Sequence, residues 1–161
     1  MSPMPTSDFM RGHWTRWVAL GFGTGLSPVA PGTVGTLLGF PLFWLLSLGP
    51  LWLQLVLLLA LFVLGVWVCE CTAPALGGGD PGAIVWDEVV AFALVLLVAP
   101  RSPLGYVGAF AAFRLFDIWK PFPINWVDRH VKGGFGIMLD DVLAAGYAML
   151  AVWHLRGVFH V

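Results

Sequence analysis

Charge is what this sequence has least of. Of its 161 residues only 11% are Asp, Glu, Lys or Arg and 59% are hydrophobic, whereas an ordinary soluble domain carries about 25% charged residues. Mean hydropathy is +0.88. Disorder is excluded, because a disordered chain needs low hydrophobicity and high net charge. A nucleic-acid partner is excluded as well: 8 basic against 9 acidic side chains leave a net charge of −1, which offers phosphates no basic field. There are only 2 cysteines, Cys69 and Cys71, too few for a disulfide framework, and no histidine stands at zinc-ligand spacing from them. They read as apolar filler at a helix end. The N-terminal tail, residues 1–16, has basic character but leads into no apolar stretch ending in a small-residue cleavage site, so no signal peptide is expected to be removed. A small membrane protein remains, a single domain over residues 1–161.

What the chain has in abundance is uncharged apolar sequence. No charge falls between Arg16 and Glu70, and further uncharged runs cover Val89 to Pro100, Ser102 to Phe113 and Val142 to Leu155. Crossing a hydrocarbon core takes about 20 helical residues. Gly49-Pro50 divides the first run, giving expected spans at Val34 to Leu48 and Leu51 to Cys69; others are expected at Ala83 to Ala99, Pro103 to Ile118 and Asp140 to Arg156. Gly and Pro crowd Gly21 to Gly35 and break helices there. The fold expected is therefore all-α, a polytopic membrane bundle of about five or six helices with an irregular Gly/Pro-rich N-terminal segment. With a cytoplasmic N-terminus, Arg11, Arg16, Arg114, Lys120, Arg129 and Lys132 fall inside and Arg101 and Arg156 outside, in the direction of the positive-inside rule. Tryptophans are expected as interface anchors and packing.

The same parity gathers Glu70, Asp80, Asp87, Glu88, Asp117, Asp128, Asp140 and Asp141 on the cytoplasmic side. Glu70 reads as a solvated loop charge. Asp87, Glu88 and Asp117 fall within expected spans, where a charge costs roughly 2.5–3.5 kcal/mol on insertion scales, so they need partners, water or a metal. Clustered carboxylates repel unless something positive lies between them, and a hard divalent cation is the simplest answer. Magnesium suits the set better than zinc, because it takes few carboxylates, keeps waters and shares phosphate oxygens. Arg114 and Asp117 lie three apart on one helix face, and Lys120 follows where Pro121 should end that helix, so either base could meet a phosphate oxygen. Plainer readings stand beside these. Asp140-Asp141 could complement a helix dipole, Arg114 and Asp117 could be an intrahelical ion pair, and Gly133, Gly134 and Gly136 could be a turn rather than an anion nest. His13, His130, His154 and His160 show no ligand spacing. A thiol phosphatase needs Cys-x5-Arg and a haloacid-type enzyme needs Asp-x-Asp, and both are absent, as are the phosphohistidine and Asp-Gly-x2-Ala-Arg lipid-enzyme motifs. Water activated on a metal is the mechanism left.

Three stretches, LSPVAPGTVGTL at 26–37, DPGAIVWDEVVA at 80–91 and FRLFDIWKPFPINWVDRHVKGGFGIMLDDVLAAG at 113–146, together resemble the phosphatidylglycerophosphatase A family. The resemblance runs from about residue 18 to 152. It implies a bacterial inner-membrane enzyme, its site facing the cytoplasm, that removes the terminal phosphate of phosphatidylglycerophosphate with magnesium. The family's acidic elements fall on Asp80, Asp87, Glu88, Asp117, Asp128, Asp140 and Asp141, and its Lys-Pro element on Lys120-Pro121. Ala91 departs from an expected glycine, and Lys132 stands where the pattern requires no base. The roles expected are metal ligation by Asp87, Glu88, Asp117, Asp140 and Asp141, and general base catalysis by Asp80 or Asp128. Phosphate contacts are expected from Gly32, Thr33, Gly35, Arg114, Lys120 and Lys132. An Asp nucleophile forming a phospho-enzyme stays open beside activated water.

A small cation transporter or channel is the alternative use of such carboxylates. Against it, no acid falls in Leu51 to Val68 or in Val89 to Ala99, and a path across the membrane needs polar groups there. Single cysteines at Pro50 and Arg101 are expected to label from outside the cell; labelling of both from the cytoplasm would overturn the expected orientation.

Overall fold

A computed structural model describes residues 5–155. Arg156, which closes the last expected span, and His160 lie outside the described residues. Every regular element among them is helical, beginning with α1 (Ser7–Arg11) and α2 (Trp14–Ala19). A 3-10 segment (Gly21–Leu26) leads to α3 (Pro31–Leu37) and α4 (Gly39–Leu46). Then come α5 (Leu51–Thr72), a 3-10 turn (Ala73–Leu76), α6 (Trp86–Leu96), α7 (Pro103–Trp119), α8 (Ile124–His130) and α9 (Gly133–His154). Local chemistry marks the starts. Thr6 accepts the Phe9 N–H at 3.2 Å ahead of α1, and Ser102 accepts the Gly105 N–H at 3.0 Å ahead of α7, with Pro103 in its first turn.

The core is built round α6. Trp86, Val89, Val90, Ala91, Phe92, Ala93, Val95 and Leu96 are all buried, as a helix apolar on every face must be in a bundle. Phe92 meets Phe40, Phe110 and Phe113 with ring centroids 5.0, 5.6 and 5.8 Å away. The buried Trp86 donates its indole N–H to the Leu61 carbonyl at 3.2 Å, tying α6 to α5. Ala91, where the family resemblance led us to expect glycine, is only 1% exposed, so its methyl is packed.

Helix α5 is apolar in the opposite sense. Trp52, Leu55, Val56, Leu59, Val63 and Trp67 point outward, and a contiguous apolar face of this kind marks a membrane or protein contact. Two helical stretches, Leu51–Leu76 and Gly133–His154, are long and apolar enough to cross a membrane. Of the other expected spans, Pro103 to Ile118 is filled by α7, and two are broken or shorter than their sequences suggest. Val34 to Leu48 is occupied by α3 and α4, which meet at Leu38. In Ala83 to Ala99 the helix covers only Trp86–Leu96, because Val85 is fixed before it by an N–H bond to the Ala19 carbonyl at 2.9 Å. The irregular N-terminal segment is borne out at Gly21–Leu26, where Phe22 and Gly23 leave helical geometry. It is overturned from Pro31 onward, where proline starts a helix instead of breaking one.

Helix α9 begins at Gly133, well before Asp140. The acidic pair therefore lies inside the helix and does not complement its N-terminus. Close packing explains the early start: a Cβ on Gly134 would collide with the Val66 carbonyl of α5. Gly146, on the same helix, has open space around its Cα. Gly134→Val is accordingly expected to cost about 1–3 kcal/mol by overpacking, whereas Gly146→Ala is neutral or stabilising by up to about 1 kcal/mol. Thermal unfolding in detergent micelles, followed by tryptophan fluorescence, compares the two.

Candidate active site

The C-terminal ends of α5 and α7 and the N-terminal parts of α6 and α9 bring the acidic residues to one end of the bundle. Asp87 and Glu88 occupy the first turn of α6, where the helix dipole favours negative charge. On α7 the three-residue spacing puts Arg114 against Asp117, and the same guanidinium nitrogen, Nη1, reaches Glu88 Oε1 at 3.3 Å. Gly32 lets the α3 backbone approach this pair, since a Cβ there would strike the Glu88 carboxylate and crowd Arg114. Thr36 holds that backbone in place by donating to the Gly32 carbonyl at 2.7 Å.

A second group forms where α7 stops. Lys120 caps α7 in the left-handed region (φ 46°, ψ 61°), with its N–H on the Phe116 carbonyl, a conformation that costs a residue with a side chain roughly 1–2 kcal/mol. Pro121 prevents further helix, and α8, anchored by buried Ile124 and Val127, returns Asp128 to the same place. The Lys120 Nζ lies 2.6 Å from Asp140 Oδ2, 2.8 Å from Asp128 Oδ1 and 3.9 Å from Asp80 Oδ2. Asp80 and Lys120 lie outside the candidate spans. Desolvation works against the ammonium, but the hydrogen bonds it donates to Asp128 and Asp140 outweigh that and raise the Lys120 pKa, so the charge persists. Desolvation raises the pKa of Asp80; Lys120 opposes that and the Asp128 and Asp117 carboxylates add to it.

The carboxylates thus divide into two triads, Asp80 with Asp128 and Asp140, and Asp87 with Glu88 and Asp141, each with ligand oxygens within 4.8 Å of one another. In the second triad Asp87 Oδ1, Glu88 Oε2 and Asp141 Oδ2 are buried with no hydrogen-bond partner. Three unpaired carboxylate oxygens cannot stay ionised in a dry site without a cation. An all-oxygen set of this kind suits a hard divalent ion such as magnesium. A cavity of about 30 Å³ between Asp80, Asp128, Lys132 and Asp140 has room for water. A larger pocket of about 360 Å³ opens beside it, lined by Gly25, Ser27, Pro31, Asp80 and Gly82. Asp80 lines both, and 42% of its side chain is exposed.

The expected site residues are brought together with some changes of partner. Asp117 faces Arg114, and Asp140 faces Lys120, so neither belongs to the triad with unpaired oxygens. Lys132 lies at the small cavity with Nζ on the Asp128 carbonyl at 3.1 Å. Gly32 reaches Glu88 and Thr33 follows it on α3, but Gly35 packs on Val85 instead. Glu70, expected to be a solvated charge, accepts the Gly134 N–H and ties α9 to the end of α5, which leaves that N–H unavailable to an anion. His130 stacks on Trp126. Sequence reasoning did not single out Thr72, whose hydroxyl is buried without a partner, nor the place of Cys69, buried within electrostatic reach of Asp87, Asp80 and Asp141. Lone Thr and Cys residues in an apolar helix carry no signal for such a location.

The family model for phosphatidylglycerophosphatase A matches residues 17–156. The chain belongs to this family. It is 43% identical over 128 residues to the phosphatidylglycerophosphatase A of Escherichia coli (strain K12), covering 79% of this chain and 74% of the relative. The enzyme of that name from Haemophilus influenzae is 45% identical over 141 residues, 86% of each chain. A Bacteroides thetaiotaomicron protein provisionally named a phosphatidylinositol-3-phosphatase is 37% identical over 149 residues, 88% of this chain and 92% of its own length. No solved structure matches the chain. Within this site, Arg114 is the cation between Glu88 and Asp117, whose side chains are 12% and 11% exposed. Arg114→Ala strands both and is expected to destabilise the protein by about 3 kcal/mol, read as a lowered melting temperature in micelles.

Proposed function

We propose that this protein hydrolyses the terminal phosphate monoester of phosphatidylglycerophosphate, giving phosphatidylglycerol and inorganic phosphate, in a magnesium-dependent reaction. The observation that carries this reading is the meeting of two carboxylate triads and two partly buried cations at one end of an apolar bundle in a chain of this family. Asp87, Glu88 and Asp141 hold the magnesium ion through their unpartnered oxygens. Bound there, magnesium supplies positive charge for the phosphoryl oxygens and lowers the pKa of the attacking water.

The remaining steps belong to the chain's own residues. The pocket of about 360 Å³ beside Asp80 takes the glycerophosphate headgroup, while the acyl tails stay in the bilayer. Asp80, open to that pocket and with its pKa raised, takes the proton from the attacking water. A bond forms from water oxygen to phosphorus, the bond from phosphorus to the glycerol oxygen breaks, and that oxygen takes a proton from solvent in the open pocket, to which Asp80 returns its own, as phosphatidylglycerol leaves. Asp128 and Asp140 hold the Lys120 ammonium beside Asp80, where its positive charge offsets that of the phosphoryl oxygens. Arg114 balances Glu88 and Asp117. Gly32, Thr33 and Lys132 line the approach. The positive-inside distribution supports several passes through a bacterial inner membrane with the site at its cytoplasmic surface. The provisional name of the Bacteroides relative concerns another phosphate monoester on a phospholipid headgroup, so headgroup discrimination belongs to the same assay.

Phosphate release from phosphatidylglycerophosphate in detergent micelles tests the reading, with phosphatidylinositol 3-phosphate as the competing substrate. Wild-type release is expected to require magnesium and to be lost in Asp87→Asn. Asp80→Asn is expected to lower kcat by about 10²–10⁴-fold. A folded wild type that releases no phosphate with any divalent metal would refute the catalytic reading.

A further inference from the structure

The two triads differ in what already neutralises them. Among the described residues, no oxygen of Asp80, Asp128 or Asp140 is buried without a partner. Lys120 stands in their midst, bonded to Asp128 and Asp140 and nearest to Asp80 with its remaining face. An ammonium has three N–H donors and no acceptor, so three converging carboxylates match it in number as well as in sign. In the other triad Arg114, the cation that pairs with it among the described residues, bonds Glu88 through Oε1, and it is Oε2 that stays unpaired alongside Asp87 Oδ1 and Asp141 Oδ2.

We propose that the chain holds a single divalent ion, in the Asp87, Glu88 and Asp141 triad, and that the Lys120 ammonium is the built-in cation of the Asp80, Asp128 and Asp140 triad, filling the place of a second metal. The proposal rests on the metal reading of the first triad given above. Two-ion phosphoryl-transfer sites clamp the substrate between two positive centres; here one centre is covalently part of the chain. A second divalent ion in the Lys120 triad would have to displace the ammonium or sit within a few ångströms of it, against Coulomb repulsion. Moving the ammonium aside would break its bonds to Asp128 and Asp140, and Asp140, 3% exposed, cannot follow it into solvent.

Manganese(II) is the probe: the full chain in detergent micelles is titrated with Mn²⁺, and bound ion is counted from the loss of the free-ion electron paramagnetic resonance signal. One Mn²⁺ per chain is expected for wild type and still one for Asp128→Asn. Asp141→Asn is expected to lose it, and Lys120→Met, which empties the second triad of its ammonium, to bind two. Two ions in wild type, or a fall in Asp128→Asn, would overturn the single-ion assignment while leaving the metal reading intact. No ion in wild type would overturn both. A folded Lys120→Met that still binds one ion also overturns it; should that variant not fold, the wild-type and Asp128→Asn counts decide.

Discussion

Everything at the acidic end of this bundle answers to one electrostatic constraint, the placing of seven carboxylates, Asp80, Asp87, Glu88, Asp117, Asp128, Asp140 and Asp141, against two cations, Arg114 and Lys120, that form ion pairs with them among the described residues. Removing an ion from water costs several kcal/mol even after relaxation, and Asp87, Asp117, Asp140 and Asp141 are all buried. Arg114 and Lys120 compensate part of that charge. Both are delivered by the last turns of α7, one from within the helix and one from the residue that ends it. The left-handed turn at Lys120 is thus a local cost borne to bring a cation where the fold needs it.

The rest of the architecture serves that meeting point. Helix α6 is buried all round, so its first turn has a fixed height and presents Asp87 and Glu88 reproducibly. The backbone of α3 approaches Glu88 because Gly32 has no side chain, and α9 approaches α5 because Gly134 has none. These contacts join segments far apart in sequence. A change in any of them shifts carboxylates relative to one another, and the magnesium ion proposed above would leave little room for such a shift, since its oxygen distances are confined to about 2.0–2.1 Å.

Much of this was legible in the sequence. The long uncharged runs gave α5 and the apolar core, and the Arg114 to Asp117 spacing and the Lys120-Pro121 step gave an ion pair and a helix end that the structure contains. The same acids singled out by charge in apolar context are the ones that converge. What escaped reading depends on tertiary contact. Hydropathy cannot separate α6, apolar because it is enclosed by protein, from α5, apolar because it faces outward. Composition sees Gly133-Gly134 as a turn, whereas packing on Val66 lets the helix start there and carries Asp140 and Asp141 into its interior. The division of the acids into two triads depends on side-chain direction, which one-dimensional spacing does not contain.

Asp140 and Asp141 are neighbours in sequence, yet they serve different triads: consecutive residues on a helix point about 100° apart, and in the middle of α9 that angle turns the two carboxylates to different neighbours, whereas Asp87 and Glu88 at the start of α6 converge. The stretch of α9 between the Gly134 contact and this pair therefore works as a phase setter. Replacing a residue within it alters packing, but inserting or deleting one would turn Asp140 toward another sector and misalign both triads at once. Drift in this segment should be confined to side-chain identity, with its length held fixed by the angular pitch of a single helix.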